Sequence, residues 1–294
     1  MSKIEEAMEK AGRLREKAAP AAQAAAAEEK GLHSLHQKPA EDIEISSPRL
    51  VAANNYNLPI SEEYRKLRSI VIQLTNQDRQ RKTLMVTSSV GGEGKSVTAL
   101  NLALSLAQEY DQRVLLIDTD LRNPSICRYL GLQRLPGVAE CIEDDVDVKD
   151  VVVNTGLGSL LLLPAGREVT NPVEILSSEK MAGFLERLKQ QFEGYFIIID
   201  ISPVLPFADA RIIGSRADGV VFVVKEGGTS ARNVRDALEA LKTCNVMGVV
   251  FNKSTTAGLD GGYHYYYDYN YQGRDPEEQK TGLLSRLLRR RPRT

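Results

Sequence analysis

The sequence predicts an α/β protein in which a doubly wound, mostly parallel β-sheet is covered by helices on both faces. Continuous apolar runs of four to six residues recur along the chain, and such runs are typical of strands that are buried on both faces. Amphipathic stretches of helical length lie between most of these runs, as in sheets built from strand–helix–strand units. Sheets of this class bind ligands outside the carboxyl ends of their strands, so we expect a functional site there.

Six strands and three long helices follow from these patterns. The predicted strands are Thr83–Thr87, Val114–Ile117, Leu160–Leu163, Tyr195–Ile199, Gly219–Val224 and Val246–Phe251. The predicted helices are Ser96–Glu109, Val173–Phe192 and Ala231–Lys242. The alternation begins at about residue 61 and stops after residue 251, which predicts one domain between two flanking segments.

The chain is therefore expected to have three parts. Residues 1–47 combine a charged segment with an alanine-rich run that Pro20 interrupts, and they are predicted to form a flexible or helical arm. Residues 48–258 form the predicted domain. Residues 259–294 contain a tyrosine-rich segment and a basic end with leucines at helical spacing, which could be a short lipid-binding helix or a solvated tail.

Composition excludes several classes of protein. The formal net charge is -1, which gives no global attraction to nucleic acid or lipid. The three cysteines form no CxxC pair, which favours a reducing compartment over a disulfide scaffold. No apolar run approaches the roughly 18 residues that a membrane-spanning helix requires, and the N-terminus has no apolar signal-peptide core. We therefore expect a cytoplasmic protein that binds no nucleic acid.

The strongest chemical pattern is the segment TLMVTSSVGGEGKSVTALNLALSLA. Its glycines let successive backbone N–H groups point inward, Lys95 can reach β- and γ-phosphates, and Ser96 can bind Mg²⁺ at a helix N-terminus. The strict phosphate-loop motif has glycine where this chain has Ser89. The alternative is a glycine turn with a chance Lys-Ser pair, which the flanking strand and helix argue against. The predicted nucleotide-binding residues are Gly91, Gly92, Glu93, Gly94, Lys95, Ser96 and Val97.

Acidic residues at two further strand ends are expected to face this loop. In VLLIDTDLRNPS, Asp118 and Asp120 stand two residues apart and point to the same side of an extended backbone. One could hold a metal-bound water while the other accepts a proton from an attacking hydroxyl. In YFIIIDISPVLPFADA, Asp200 ends an apolar strand, where a carboxylate can act on Mg²⁺ through water. The alternatives are a helix N-cap at Asp120 and a strand-terminating cap at Asp200.

With these motifs the chain resembles the bacterial tyrosine kinases, which are similar to P-loop ATPases of the MinD and ParA type. More narrowly it is similar to the tyrosine autokinases found with exopolysaccharide and exosortase loci. The resemblance covers roughly residues 60–272 and rests on SSVGGEGKS as Walker A, LLIDTDLR as Walker A′ and FIIID as Walker B. It implies a P-loop NTPase fold that binds ATP and Mg²⁺. It also implies that Lys95, Asp118 and Asp120 are catalytic and that Ser96, Asp120 and Asp200 bind the metal.

The tyrosines are concentrated near the C-terminus. Six of the 11 lie in DGGYHYYYDYNYQG, residues 260–273, with almost nothing aliphatic to pack against. The resemblance implies that a neighbouring subunit phosphorylates them: Tyr263, Tyr265, Tyr266, Tyr267, Tyr269 and Tyr271. Each phosphate adds roughly -1.5 to -2 charges, so we expect unmodified protein to oligomerise and phosphorylated protein to dissociate. The alternative is a tail that stacks on bases or sugars, although few Lys or Arg residues lie among the tyrosines.

The segment EEYRKLR is similar to the ExxRxxR helix that the family uses for contacts between subunits. The resemblance therefore implies an oligomer interface at Glu62, Arg65 and Arg68. Spacing by itself favours a solvated charged face with an intrahelical ion pair, on a helix that Ser61 could cap.

The expected partner and the rival functions follow from the same resemblance. The family implies regulation of exopolysaccharide synthesis or export. It implies a transmembrane polysaccharide chain-length regulator (co-polymerase) as partner at the inner face of the plasma membrane. It also implies possible further protein substrates.

A MinD- or ParA-like ATPase would instead position cargo by nucleotide-dependent dimerisation, but Val90 replaces the lysine that those ATPases present across their dimer. A scaffold that binds nucleotide without chemistry is suggested by Ile201, which stands where the family usually has a small hydroxyl residue. Asn252, after the last predicted strand, is a candidate for contact with the base.

Overall fold

The structure is a computed structural model, which describes residues 43, 45, 47–54, 59–75 and 82–254. Most of the predicted N-terminal arm, the tyrosine segment and the basic end lie outside the described residues. The chain divides into two units, Met1–Lys253 and Ser254–Thr294. The limits of the three predicted parts stay predictions.

One sheet forms the centre of the described domain. Its strands are β1 Thr83–Ser88, β2 Val114–Asp118, β3 Val153–Asn154, β4 Leu160–Leu163, β5 Phe196–Asp200, β6 Gly219–Lys225 and β7 Val246–Asn252. They lie in the order β3-β4-β2-β5-β1-β6-β7, and only the pair β3 and β4 is antiparallel. The mostly parallel sheet and the six predicted strands are confirmed. The sequence does not predict β3, because two half-buried residues are too few to show a period.

Helices cover both faces of the sheet. Those in the described part of the chain are α1 Val51–Asn54, α2 Pro59–Thr75, α3 Lys95–Ala107, α4 Ile126–Tyr129, α5 Val138–Glu143, α6 Val148–Val151, α7 Pro172–Ser177, α8 Glu179–Gln191, α9 Asp209–Gly214 and α10 Ala231–Ala240. The single helix predicted over residues 173–192 is wrong. Ser178, with a ψ of 153°, separates α7 from α8, and its hydroxyl accepts a hydrogen bond from the Met181 N–H. A serine that caps a new helix ends the old one although the amphipathic pattern continues.

Successive residues of the central strands pack on opposite faces of the sheet. Leu84 and Val86 of β1 belong to the core that contains α3, whereas Met85 belongs to the core that contains Phe184 of α8. Because both faces are covered, the strands are apolar throughout, which explains the unbroken runs in the sequence. Within the described ranges, no helix is long and apolar enough to cross a membrane.

The topology brings the predicted acidic residues to one edge of the sheet. Asp118 of β2 lies opposite Asp200 of β5, and Asp200 lies opposite Val86 of β1. The glycine-rich loop follows β1. Since the carboxyl ends of parallel strands meet at the same edge, the loop and the aspartates share one site.

Candidate active site

The glycine-rich loop adopts a backbone conformation that favours glycine and lies directly before a helix N-terminus. The loop leads directly into α3, which begins at Lys95. Gly92 and Gly94 have φ angles of 82° and 100°, a region that residues with a Cβ rarely adopt. At Gly94 an added Cβ would also lie 2.1 Å from Nδ2 of Asn252. Glycine is therefore required at this position for two independent reasons.

The Glu93 side chain is directed into the protein. Its buried carboxylate accepts hydrogen bonds from the Ser89 hydroxyl at 2.8 Å and from the Val90 N–H at 2.9 Å. The Thr229 hydroxyl donates to the same carboxylate. Ser89 thus supplies a hydrogen bond that the glycine of the strict motif could not. The side chain of Glu93, one of the predicted nucleotide-binding residues, therefore stabilises the loop. This leaves only the backbone of Glu93 for contact with a phosphate.

Lys95 lies among the strand-end carboxylates. Its Nζ is 2.6 Å from Asp120 Oδ2 and 3.3 Å from Asp200 Oδ1, and it donates to the Ser96 hydroxyl at 3.0 Å. Burial acts to lower the pKa of Lys95, but the attraction of Asp200 and Asp120 outweighs burial and raises that pKa above its ordinary value. Lys95 is therefore a permanent cation at the carboxyl ends of β2 and β5.

Asp118 is held by backbone hydrogen bonds. Its Oδ2 accepts from the N–H groups of Ser125 and Ile126 at 3.1 and 3.2 Å, and its Oδ1 accepts from the Asp120 N–H at 3.2 Å. The place at a helix N-terminus that the sequence suggests for Asp120 thus belongs to Asp118, at the start of α4. Burial and, after it, the charge of Asp200 raise the pKa of Asp118 to about 7. Asp118 can therefore exchange a proton near neutral pH.

The oxygen donors at this edge fit Mg²⁺. Asp200 is fully buried, and its Oδ2 has no hydrogen-bond partner among the residues that the structure describes. Burial raises the pKa of Asp200, although Lys95 acts against it. Carboxylate, hydroxyl, phosphate and water oxygens are the ligands that Mg²⁺ takes, and Asp120, Asp200 and Ser96 of α3 supply the first two kinds. The remaining predicted loop residues are Gly91, which is exposed, and Val97, which is half-buried in α3.

A second polar network lies beside the carboxylates. Arg122 donates from Nε to Asp209 Oδ2 at 2.8 Å, and its guanidinium lies 4.2 Å from the ring centre of Phe207. The Ser202 hydroxyl donates to the same Asp209 oxygen at 2.8 Å, while Ile201 is fully buried in the core. The sequence does not predict this network. Arg122 and Ser202 stand in the quoted motifs, but nothing there indicates that both bind one carboxylate.

A cavity of about 140 Å³ lies next to Asp118. Its wall combines apolar side chains with two arginines, and the lining includes Asp118, Cys127, Arg128, Leu132, Arg134 and Pro164. Burial, with the charge of Asp118, raises the pKa of Cys127 to about 11, so this thiol is neutral at physiological pH. The cavity thus offers apolar contact, two cations and a titratable carboxyl group in one place.

The helix predicted as an oligomer interface is α2. It begins at Pro59 rather than after a cap at Ser61, since proline fits the first helical turn, and the Ser61 hydroxyl donates to the Val51 carbonyl. Glu62 and Arg65 form an ion pair of 2.7 Å along the helix, as their spacing predicts.

Arg68, the third predicted interface residue, contacts its own domain. It donates to the Ser105 carbonyl at 3.1 Å and pairs with Glu109 at 2.6 Å. These contacts join α2 to the end of α3, so Arg68 contributes to folding whether or not it also contacts another subunit. The interface itself stays a prediction.

Known proteins with similar sequences include tyrosine-protein kinases and a succinoglycan biosynthesis transport protein. The family model for the AAA domain matches residues 81–248. Tyrosine-protein kinase YwqD of Bacillus subtilis is 36% identical over 207 residues, which cover 69% of this chain and 86% of YwqD. Succinoglycan biosynthesis transport protein ExoP of Rhizobium meliloti is 32% identical over 182 residues, which cover 60% of this chain but 22% of ExoP.

Solved structures agree with the sequence comparisons. The BceF tyrosine kinase domain has a TM-score of 0.62 and 31% identity, and the match covers 69% of this chain and 83% of that domain. A chain of the MinC:MinD cell division complex of Aquifex aeolicus has a TM-score of 0.50 and 26% identity, covering 61% of this chain and 71% of that one. The P-loop ATPase fold of the MinD type is therefore confirmed, with greater similarity to the kinase domain. By its identity to YwqD and its coverage of that protein, the chain belongs to the bacterial tyrosine-protein kinases.

Proposed function

We propose that this protein-tyrosine kinase transfers the γ-phosphoryl group of ATP to tyrosines near the C-terminus of a neighbouring copy of the chain. The supporting observation is that the phosphate loop, Lys95 and three strand-end aspartates converge at one edge of the sheet. Phosphoryl transfer depends mainly on positioning and on charge stabilisation, which such a site can supply. The acceptors are the six tyrosines of residues 260–273.

ATP binding changes the partners of Lys95. The loop N–H groups and Lys95 bind the phosphates, so Lys95 exchanges its carboxylate partners for phosphate oxygens. Ser96, Asp120 and Asp200 would hold Mg²⁺, which would supply positive charge to the transferred group. The two carboxylates would thereby keep a cationic partner, and no uncompensated charge would remain in a buried place.

Asp118 accepts the proton of the attacking tyrosine. The phenol oxygen bonds to the γ-phosphorus while the bond from phosphorus to the β–γ bridging oxygen breaks, and ADP leaves. With a pKa raised to about 7, Asp118 is basic enough to take the proton and is still ionised in a large fraction of molecules at neutral pH.

The cavity next to Asp118 receives the acceptor side chain. Its volume of about 140 Å³ suits one aromatic ring, since a cavity of about 150 Å³ in another protein binds benzene. Leu132 offers apolar contact, while Arg128 attracts acidic residues beside the acceptor, and Arg134 does so by exchanging its exposed ion pair with Glu168. Asp268 stands in such a position within the tyrosine segment.

The regulated process is exopolysaccharide synthesis or export. ExoP, which is named for succinoglycan biosynthesis and transport, contains a region similar to this chain. A transmembrane polysaccharide co-polymerase is the proposed partner, and it would place the kinase at the inner face of the plasma membrane. Other proteins could be further substrates.

Mixing two full-length variants tests transfer between copies. An Asp118→Asn chain keeps its tyrosine segment but lacks the proton acceptor, and a second chain keeps its active site but has phenylalanine at all six tyrosines. After incubation with MgATP, mass spectrometry should find phosphotyrosine on the first chain only when the second is present. If the mixture stays unmodified while wild-type protein phosphorylates its own segment, transfer occurs within one chain and this part of the proposal is wrong.

A further inference from the structure

The end of β7 contacts the phosphate loop at two successive peptide groups. Asn252 Nδ2 donates to the carbonyl of Glu93 at 2.9 Å, and Lys253 Nζ donates to the carbonyl of Gly92 at 2.9 Å. Two adjacent residues of the chain thus bind two adjacent carbonyls of the loop.

These contacts determine the direction of the loop N–H groups. A peptide unit is planar and trans, so its N–H points away from its C=O. The Gly92 carbonyl shares a peptide unit with the Glu93 N–H, and the Glu93 carbonyl shares one with the Gly94 N–H. Because Lys253 and Asn252 bind both carbonyls from the β7 side, both N–H groups point to the opposite side, where a phosphate would bind at the N-terminus of α3.

Both Asn252 and Lys253 have an unusual local geometry at this contact. Lys253 has a φ of 58°, a left-handed conformation that is unfavourable for a residue with a Cβ. The Asn252 amide lies so close to the loop that only glycine fits at position 94. A lysine that is kept at an unfavourable φ, and an amide packed directly on a glycine, both indicate that the contact stabilises one particular loop conformation.

We propose that Asn252 and Lys253 are positioning residues for phosphate binding, which hold two loop peptides with their N–H groups toward the nucleotide. The Lys253 ammonium also adds positive charge beside a loop that receives a polyanion. This role differs from the base contact that the sequence suggests for Asn252. The inference rests on nucleotide binding by the proposed site but not on the identity of the phosphoryl acceptor.

Full-length Lys253→Gly and Asn252→Ala variants test this role. Lys253→Gly removes the ammonium and also relieves the unfavourable φ, so the variant should fold at least as well as wild type. Each variant should bind MgATP roughly tenfold more weakly in isothermal titration calorimetry, with KM for ATP raised more than kcat is lowered. Lys253→Arg, which keeps a charged donor, should restore most of the affinity.

Two substitutions away from the loop are matched controls. Asn245, just before β7, donates to the Asp218 carbonyl at 2.8 Å, and Lys242 forms a surface pair with Glu239. Asn245→Ala and Lys242→Ala should bind MgATP like wild type. If Lys253→Gly and Asn252→Ala also bind within about twofold of wild type, the proposal is wrong. Failure of the proposed function looks different, because wild type would then bind MgATP without phosphorylating its tail while the two variants still bind more weakly.

Discussion

Replacing Lys95 by methionine should destabilise the fold as well as stop catalysis. The ammonium lies 2.6 Å from Asp120 and 3.3 Å from Asp200, and the three side chains are 11%, 5% and 0% exposed. Removing one partner of a buried ion pair costs about 3–5 kcal/mol, because the remaining charge loses its compensation. The free energy of unfolding of Lys95→Met should therefore be lower by about that amount at a pH where the carboxylates are ionised.

The destabilisation should depend on pH, with a sign that follows from proton binding. Lys95 acts against the burial that raises the pKa of Asp200, so its removal raises that pKa further. Between the ordinary carboxyl pKa of about 4 and the raised value, the folded variant then binds more protons than the unfolded chain. The free energy of unfolding falls as pH rises through this range, so the loss is larger at about pH 8 than at about pH 5.5.

Thermal unfolding followed by circular dichroism measures this effect. For a domain of this size, each kcal/mol shifts Tm by about 2–4 °C, so Tm at about pH 8 should fall by roughly 6–20 °C. The difference from wild type should shrink at about pH 5.5. Lys242→Met is the matched control, because Lys242 and its partner Glu239 are both 68% exposed. The Tm of this variant should change by about 2 °C or less.

An unchanged Tm of Lys95→Met at the higher pH would refute this reasoning, and so would a decrease that is the same at both pH values. The expected result also affects the choice of an inactive control. Loss of activity in Lys95→Met combines a missing phosphate ligand with a weakened fold. Asp118→Asn is nearly isosteric and keeps one oxygen that can accept from the Ser125 and Ile126 N–H groups, but its NH₂ group cannot accept from the Asp120 N–H. The Tm of this variant should therefore be measured beside its activity.

Three further predictions concern the proton acceptor, the cavity and the oligomer. Burial raises the pKa of Asp118 to about 7, and the ionised form accepts the proton. The value of kcat/KM should therefore rise about tenfold per pH unit below about pH 7 and then level off. A flat profile from about pH 5.5 to 8 would contradict this role of Asp118. Replacing Arg128 and Arg134 by alanine should raise KM roughly tenfold for a peptide with an acidic residue beside its tyrosine and leave KM for ATP unchanged, so an unchanged peptide KM would exclude the cavity as the acceptor site. Arg65→Ala should lower the oligomer mass in light scattering. Arg68→Ala should lower both the oligomer mass and Tm, because Arg68 binds α3. An unchanged mass for Arg65→Ala would remove this residue from the interface.

The strands and the strand-end carboxylates can be predicted because the pattern that defines them is local. An unbroken apolar run followed by an aspartate marks both a buried strand and its carboxyl end, as at Asp118 and Asp200. Parallel topology then places the two residues side by side. At Ser178 the pattern does not show the helix boundary, since a single hydroxyl that caps α8 leaves the amphipathic period on either side intact.

The parts of the site that the sequence does not predict depend on contacts between distant segments. Glu93 has the position of a nucleotide-binding residue, but its carboxylate binds Thr229, which is 136 positions away. Asn252 and Lys253 reach loop carbonyls that are 159 and 161 positions away. Neither periodicity nor motif spacing contains information about such pairs, because they form only when β6, β7 and the loop meet in the sheet.

Phosphate on the tyrosine segment tests the central claim most directly. Purified full-length protein and the Asp118→Asn variant would be incubated with MgATP, and residues 254–274 analysed by mass spectrometry. We expect phosphotyrosine in the wild type and little or none in the variant over the same time. An unmodified segment in wild-type protein that hydrolyses ATP normally would contradict the claim, and would favour an ATPase that uses the nucleotide cycle to assemble rather than to phosphorylate.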